Sequence, residues 1–259
     1  MITIRGLSKE YPDGVQALRD VDVRIGRGEF VVVIGPSGAG KSTLLRCING
    51  LVTPSGGTVS IDGIPVRRTR DLRSIRKNIG MIFQQFNLVS RLSVLNNVIC
   101  GRLGHGGALT SCLRLFHPRD LELAMLCLQR VGILDKAHQR ADQLSGGQQQ
   151  RVGIARALVQ QPNLILADEP VASLDPLSAQ RIMDVLRAIN TEDGITMLVS
   201  LHNLELATRY ADRIIGLKEG MVRLDKGITE LSDVDIEAVY GRAYVDGGDA
   251  TETEGYCNA

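Results

Sequence analysis

The 259-residue sequence has no tryptophan, and aromatic side chains make up only 3% of it. Proteins that read nucleic acid by stacking need aromatic platforms interleaved with positive charge, so this scarcity argues against that class. It also gives each well-placed aromatic more weight. An excess of one charge is missing as well: 30 basic residues face 29 acidic ones, for a net charge of +1, and no global field steers the chain to a polyanion. Nor is there a long apolar run. Phe30 to Ile34 is five residues long, far short of the roughly 18 that would suggest a bilayer span. Met1-Ile2-Thr3-Ile4-Arg5 alternates like a strand and lacks the apolar core of a secretion signal, so a cytoplasmic location is expected. The five cysteines, at 47, 100, 112, 127 and 257, show no Cys-x-x-Cys spacing. Their odd number excludes a complete disulfide framework, and they are expected to be reduced thiols without a metal role. The length suits one large domain, or one domain carrying an inserted subdomain.

What the chain does have is glycine in informative places. Gly35-Pro36-Ser37-Gly38-Ala39-Gly40-Lys41-Ser42-Thr43 fits Gly-x-x-x-x-Gly-Lys-Ser and directly follows the apolar strand candidate Phe30-Val31-Val32-Val33-Ile34. Leu44, Leu45, Ile48 and Leu51 continue it with helical spacing. In that context the segment reads as a P-loop, in which glycines let backbone N–H groups close around phosphate oxygens at the positive end of a helix dipole. Lys41 is then placed for the β- and γ-phosphates and Ser42 for magnesium.

Around this loop the chain divides readily. Ile2 to Leu7 and Ala17 to Ile25 read as antiparallel strands joined by the turn Tyr11-Pro12-Asp13-Gly14, and Thr58 to Gly63 gives a further strand ending in a turn, part of a hairpin. Tyr11 either stacks on an adenine ring or is an ordinary surface tyrosine. Residues 67 to 77 carry Arg67, Arg68, Arg70, Arg73, Arg76 and Lys77 against Asp71, a pattern open to two readings, an anionic partner or a solvated helix face. Ile79 to Phe83 is a buried strand that delivers Gln84 and Gln85 to its carboxyl end, where ligands sit in open α/β sheets. From about Leu88 to Gln160 the pattern is helical, with a Gly-rich interruption at 101–107 and an amphipathic stretch from Asp120 to Val131, which suggests a helical insertion. Strands return at Leu164 to Ala167 and Ile195 to Ser200, with a helix from about Pro176 to Asn190 between them.

Two further segments carry chemistry. Asp168 and Glu169 follow an apolar strand at once, the Walker B arrangement. The first carboxylate is suited to hold magnesium and the second to orient or deprotonate an attacking water. Leu144-Ser145-Gly146-Gly147-Gln148 combines a helix N-cap with two glycines at a helix start, a second phosphate-binding surface.

With these segments in view, residues 1 to 240 or so resemble the ATP-binding-cassette (ABC) ATPases. The resemblance implies an α/β fold: a P-loop NTPase core, an N-terminal antiparallel β-layer, and a helical subdomain at about 88–160 that carries the signature motif. The cassette would occupy residues 1–245. It also implies ATP and Mg²⁺ as ligands and a head-to-tail pair of subunits, the P-loop of one facing the signature of the other. Residue by residue, Tyr11 resembles the adenine-stacking aromatic, Gly35 through Thr43 the phosphate loop, and Ser145, Gly146, Gly147 and Gln148 the signature presented to the partner's nucleotide. Gln84 resembles the glutamine that senses magnesium and the membrane partner, Asp168 the metal ligand, Glu169 the general base, and Asp175 the end of the D-loop Ser173-Leu174-Asp175. His202 lies 34 residues after Asp168, where the family keeps the switch histidine that contacts the γ-phosphate.

Within the importers, Phe83 to Val98, the triple glutamine Gln148-Gln149-Gln150, and Ala167 to Pro176 are similar to the phosphonate-import ATP-binding proteins. Gly104 to Phe116 lacks the tryptophan of that group, and Asn203-Leu204-Glu205 is a variant form. The resemblance implies two membrane permease subunits as partners, an extracytoplasmic solute-binding protein acting indirectly, no nucleic acid, and a peripheral place on the cytoplasmic face of the membrane. Two other readings stay open: import of another small solute (phosphate, phosphite or an amino acid), and a non-transport ATPase accessory to a phosphonate-cleaving complex. The tail at 246–259, with Asp246, Asp249, Glu252 and Glu254 among Gly, Thr and Ala, has too little apolar surface to offset its ordering entropy and is expected to be mobile and dispensable.

Overall fold

The computed structural model describes residues 1–67, 69–104 and 116–241; the acidic tail lies outside them. Two sheets organise the chain. Strands β1 (Ile2–Glu10), β2 (Gln16–Ile25), β4 (Gly56–Ile61) and β5 (Ile64–Pro65) form an antiparallel sheet in the order β2-β1-β4-β5. The β1–β2 turn closes with Tyr11 N–H on Val15 O and Gly14 N–H on Tyr11 O, both at 2.9 Å. The expected hairpin after the P-loop helix thus joins the N-terminal strands in one layer, so that layer is assembled from two stretches of sequence.

The second sheet contains β3 (Phe30–Ile34), β6 (Ile79–Ile82), β7 (Leu164–Asp168), β8 (Thr196–Ser200), β9 (Arg213–Lys218) and β10 (Met221–Gly227), in the order β10-β9-β3-β8-β7-β6. All its pairings are parallel except β10 on β9. Parallel strands covered on both faces read as unbroken apolar runs, and β3 shows why. Phe30, Val32 and Ile34 face the core on the helical side, while Val31 and Val33 face the core shared with the antiparallel layer and with α1 (Lys41–Ile48).

The remaining helices are α2 (Thr69–Lys77), α3 (Val94–Ile99), α4 (Pro118–Arg130), α5 (Gly146–Leu158), α6 (Pro176–Asp193), α7 (Leu204–Tyr210) and α8 (Asp233–Tyr240). Helices α3, α4 and α5, from the stretch expected to form a helical subdomain, pack on one another. Its first helix begins at Val94 rather than near Leu88, because Ser93 caps it by accepting from Asn96 N–H. The Gly-rich interruption opens as a 3₁₀ turn at Cys100–Gly104, and the rest of it lies outside the described residues. Helix α6 runs three residues past Asn190, to a left-handed Gly194 at φ 65°.

Strand direction now fixes the site. β3, β7 and β8 end side by side, with Asp168 opposite Ser200 and Val33 opposite Ser200 in register. The residues that follow them, Gly35 onward, Glu169 and His202, therefore emerge along one edge, the carboxyl edge at which α/β folds bind ligands.

Candidate functional site

The loop after β3 can close only with glycine at two points. A Cβ on Gly35 (φ 148°) would sit 2.1 Å from Leu217 O, and one on Gly40 (φ 101°) 2.3 Å from Ala17 O. Gly40 is also the N-cap of α1, so this helix starts with no side-chain cap. The N-termini of α3, α5, α6 and α7 are all closed by side chains, from Ser93, Ser145, Asp175 and Asn203. At α1 the first-turn amides are instead left to an external acceptor, the arrangement that suits a phosphate.

Lys41 opens that helix and is 4% exposed. Its ammonium donates to Gly35 O at 2.8 Å and Pro36 O at 3.1 Å, and stands 3.4 Å from His202 Nδ1 and 4.0 Å from Glu169 Oε1. Burial pushes its pKa down, and the Glu169 and Asp168 carboxylates act the other way. On the opposite side of the ring, His202 Nε2 is hydrogen-bonded to Glu169 Oε1. A single tautomer accounts for both contacts: Nε2–H donates to the carboxylate while Nδ1 accepts from Lys41. The general-base candidate, the switch-histidine candidate and the phosphate-loop lysine therefore form one contiguous chain.

Asp168 is 4% exposed. Its Oδ1 accepts from Ser42 Oγ at 2.7 Å and from Ser200 Oγ at 3.1 Å, and its Oδ2 is 3.7 Å from the Arg46 guanidinium. Ser200 also accepts the N–H of Glu169, at 2.9 Å. That bond matters because Glu169 has φ 48°, a left-handed backbone uncommon outside glycine. The hydroxyl and carboxylate of Ser42 and Asp168 converge as hard oxygen donors, which fits magnesium, a cation that takes one or two protein oxygens and completes its shell with phosphate and water. Gln84 lines the same cleft as Ser37, Glu169 and His202, a volume of 570 Å³. Tyr11 reaches the loop too: its hydroxyl is 3.3 Å from Thr43 Oγ1, and the Lys9 ammonium lies 5.0 Å from its ring centroid.

The Ser145 segment is well formed but lies elsewhere. Ser145 and Gln148 make a reciprocal capping box, Gly146 packs near Phe86 and Leu174, and Gly147 packs near Ser178. Ser145, Gly147 and Gln148 line a separate cleft of 380 Å³ with Lys136, Arg151 and Arg181, and no residue of the Gly35–Thr43 loop reaches it. Asp175 is occupied as the cap of α6, accepting from Ser178 N–H at 2.9 Å. The segment after β6 is tied down from the helical side: Arg156 donates to Phe86 O and Asn87 O at 3.0 and 2.6 Å, and the buried Asn97 accepts from Val89 N–H at 2.7 Å. A small cleft of 180 Å³ beside it is lined by Gln85, Leu88, Ser90, Asp142 and Gln149.

The basic stretch at 67–77 is helical from Thr69. Within it Arg76 donates to Asn49 O and Gly50 O at 3.0 and 2.6 Å, a contact that fastens α2 to the end of α1. Cys47 and Cys127 are buried free thiols whose pKa values burial pushes up to about 11, which leaves them unreactive at neutral pH. Two residues with a part in the site were not singled out from sequence: Ser200 and Arg46. Ser200 alone left a faint signal, a polar residue closing an otherwise apolar strand.

The profile of the ABC transporter family matches residues 18–172. Among curated relatives, the "Phosphonates import ATP-binding protein PhnC 3" of Halalkalibacterium halodurans is 54% identical over 93% of this chain and 95% of its own length. The protein of Thiobacillus denitrificans named "Phosphonates import ATP-binding protein PhnC" is 55% identical over 93% of each. Among solved structures, the ATP-binding cassette MJ0796, a dimer in a post-hydrolysis state bound to ADP and Pi, superposes with a TM-score of 0.78 at 38% identity, covering 88% of this chain and 99% of that one. The cbiO1 protein of Clostridium perfringens, part of the cbiONQ ABC transporter complex, gives 0.79 at 31% identity over 91% and 92%.

Proposed function

Because the chain belongs to the ABC transporter family, we propose that it is the ATP-hydrolysing subunit of an importer, and that the solute it helps to take up is a phosphonate. The observation that carries the hydrolytic part is the linked set Lys41, His202 and Glu169 at the mouth of an uncapped helix. With ATP in the loop, the first-turn amides of α1 and the Lys41 ammonium neutralise phosphate charge. Ser42 and Asp168, with Gln84 in the same cleft, would hold magnesium, which would supply further positive charge at the phosphates. Glu169 takes the proton of the attacking water and His202 holds the carboxylate in place. Phosphoryl transfer needs little else than such positioning and charge neutralisation.

The solute assignment rests on the relatives, whose printed names specify phosphonate import and which align along nearly all of this chain. Two copies are proposed to face each other, so that the Ser145–Gln148 helix start of one completes the nucleotide site of the other. Among the described residues no helix is long and apolar enough to cross a membrane, so the work of closure passes to separate permease subunits. The cleft beside Gln85 and Leu88 is the proposed contact, and a solute-binding protein outside the membrane supplies selectivity. The test is uptake of a radiolabelled alkylphosphonate by cells deleted for this gene. Wild-type chain should restore uptake and the Glu169→Gln variant should not. Restoration of phosphate or amino-acid uptake, with none of phosphonate, would overturn the solute assignment.

A further inference from the structure

Helix α8 ends at the phosphate loop. The hydroxyl of its last residue, Tyr240, accepts a hydrogen bond from the N–H of Gly35 at 3.1 Å. The other end of the helix is fastened to the sheet. The Asp235 carboxylate takes Lys226 Nζ at 2.7 and 2.9 Å and the hydroxyl and N–H of Ser232 at 2.6 and 3.0 Å. In between, the buried Val239 packs so closely on β9 that a Cβ on Gly216 would lie 2.4 Å from its Cγ2. Gly216 is in turn the register partner of Ile34, the residue before Gly35. The helix thus spans from the sheet edge to the first residue of the loop.

Gly35 is a demanding place for the chain. It is buried, it lies against Leu217 O, and its carbonyl is one of two that hold the Lys41 ammonium. When a phosphate draws Lys41 away, that carbonyl loses its charged partner, and the Tyr240 hydroxyl is what still fixes the residue through its N–H. We propose that Tyr240 is a positioning residue of the nucleotide site, holding the entry of the phosphate loop in its binding conformation while Lys41 changes partners. The inference rests on the ATP-binding reading above. It assigns α8 to the nucleotide site, although 205 positions separate Tyr240 from Gly35.

Loss of a contact that shapes the loop equally before and during reaction raises KM and leaves kcat alone. The test is Tyr240→Phe, which keeps the ring and removes the acceptor, with equilibrium binding of a fluorescent ATP analogue, steady-state phosphate release and thermal melting measured together. Loss of this part-buried hydrogen bond predicts Kd and KM raised about three- to tenfold, with kcat within about twofold of wild type. A lowered melting temperature at unchanged Kd would reduce Tyr240 to a structural role, and a lowered kcat at unchanged KM would place it in the chemistry; either result overturns the proposal. Failure of the wild-type chain itself to bind the analogue would instead overturn the ATP reading.

Discussion

Ser200→Ala removes a hydroxyl that is 0% exposed and serves both acidic residues of the site, donating to Asp168 Oδ1 and accepting the N–H of Glu169. The Glu169 amide is then buried without its acceptor, a loss of about 1–3 kcal/mol. Asp168 loses one of two hydroxyl donors on Oδ1 but keeps Ser42 at 2.7 Å, so that part stays at the low end of the range for bonds to charge, about 1.5 kcal/mol. Together they predict a destabilisation of about 2.5–4.5 kcal/mol, or roughly 5–18 °C in melting temperature for a chain of this size. Activity should suffer separately. A left-handed non-glycine backbone such as that of Glu169 holds about 1–3 kcal/mol of strain. Once its N–H is released the residue can relax and carry its carboxylate away from His202. With 1.4 kcal/mol to each factor of ten in rate, kcat should fall about 10- to 100-fold. The affinity for ATP should stay within about threefold, because the hydroxyl bonds neither the Gly35–Thr43 amides nor Lys41. Phosphate release at saturating Mg-ATP, nucleotide binding and a melting curve measure the three quantities. A variant that melts within 2 °C of wild type, as roughly 1 kcal/mol or less would allow, and hydrolyses at the wild-type rate would refute the reasoning.

Glu169→Gln should still bind ATP while phosphate release falls about 10²- to 10⁴-fold, the usual worth of a positioned general base; Lys41→Ala should fail earlier, in a binding titration. The amide of Gln150, 1% exposed and without a partner at either polar atom among the described residues, predicts that Gln150→Met raises the melting temperature by a few degrees, since about 1–3 kcal/mol of desolvation is relieved; a fall in melting temperature would contradict this. Lys226 and Ser232 hold the Asp235 carboxyl at about 2, below its ordinary 3.8, so its contribution is full above pH 4 and is lost as pH falls toward 2. Melting curves of wild type and Asp235→Asn should therefore differ at pH 7 and converge near pH 2. Finally, Lys41→Ala mixed with Ser145→Arg should regain part of the activity that each lacks alone, because one composite site in the heterodimer carries neither lesion; hydrolysis by Ser145→Arg as an isolated monomer would exclude a site completed in trans.

Much of this architecture was legible because its signals are local. An apolar run flowing into Gly-x-x-x-x-Gly-Lys-Ser specifies strand, loop and helix within about 20 residues, and the loop occupies the place that pattern indicates. The acidic pair after Leu164 to Ala167 was legible for the same reason. What escaped depends on pairing across long separations. Nothing near Thr58 announces that its strand will lie antiparallel to β1 and join the N-terminal layer. Ser200 looks like any strand-end serine until β7 and β8 set it opposite Asp168, and Tyr240 looks like a helix-end aromatic until α8 is laid along β9. The late start of α3 had a readable cause in the Ser93 cap. The basic stretch at 67–77 kept two readings because its charges fit either; the bonds of Arg76 to Asn49 O and Gly50 O give one of them a structural task.

The arrangement of the phosphate loop bears on why hydrolysis should wait for a partner. Two groups expected to meet ATP already have substitutes within the chain: Lys41 has the carbonyls of Gly35 and Pro36, and Ser42 has Asp168. Binding nucleotide is therefore an exchange of contacts, and only the difference between old and new ones appears as affinity. The uncapped amides of α1 stand apart, because no side chain occupies them beforehand, so the α- and β-phosphates gain most where nothing has to be given up. Around the γ-phosphate the exchange is closer to even, since Lys41 must release the Gly35 and Pro36 carbonyls to reach it. A second copy offering the Ser145 helix start, as proposed above, would add donors there without breaking any contact in this subunit. That asymmetry favours a chain that holds nucleotide by itself and hydrolyses it when paired.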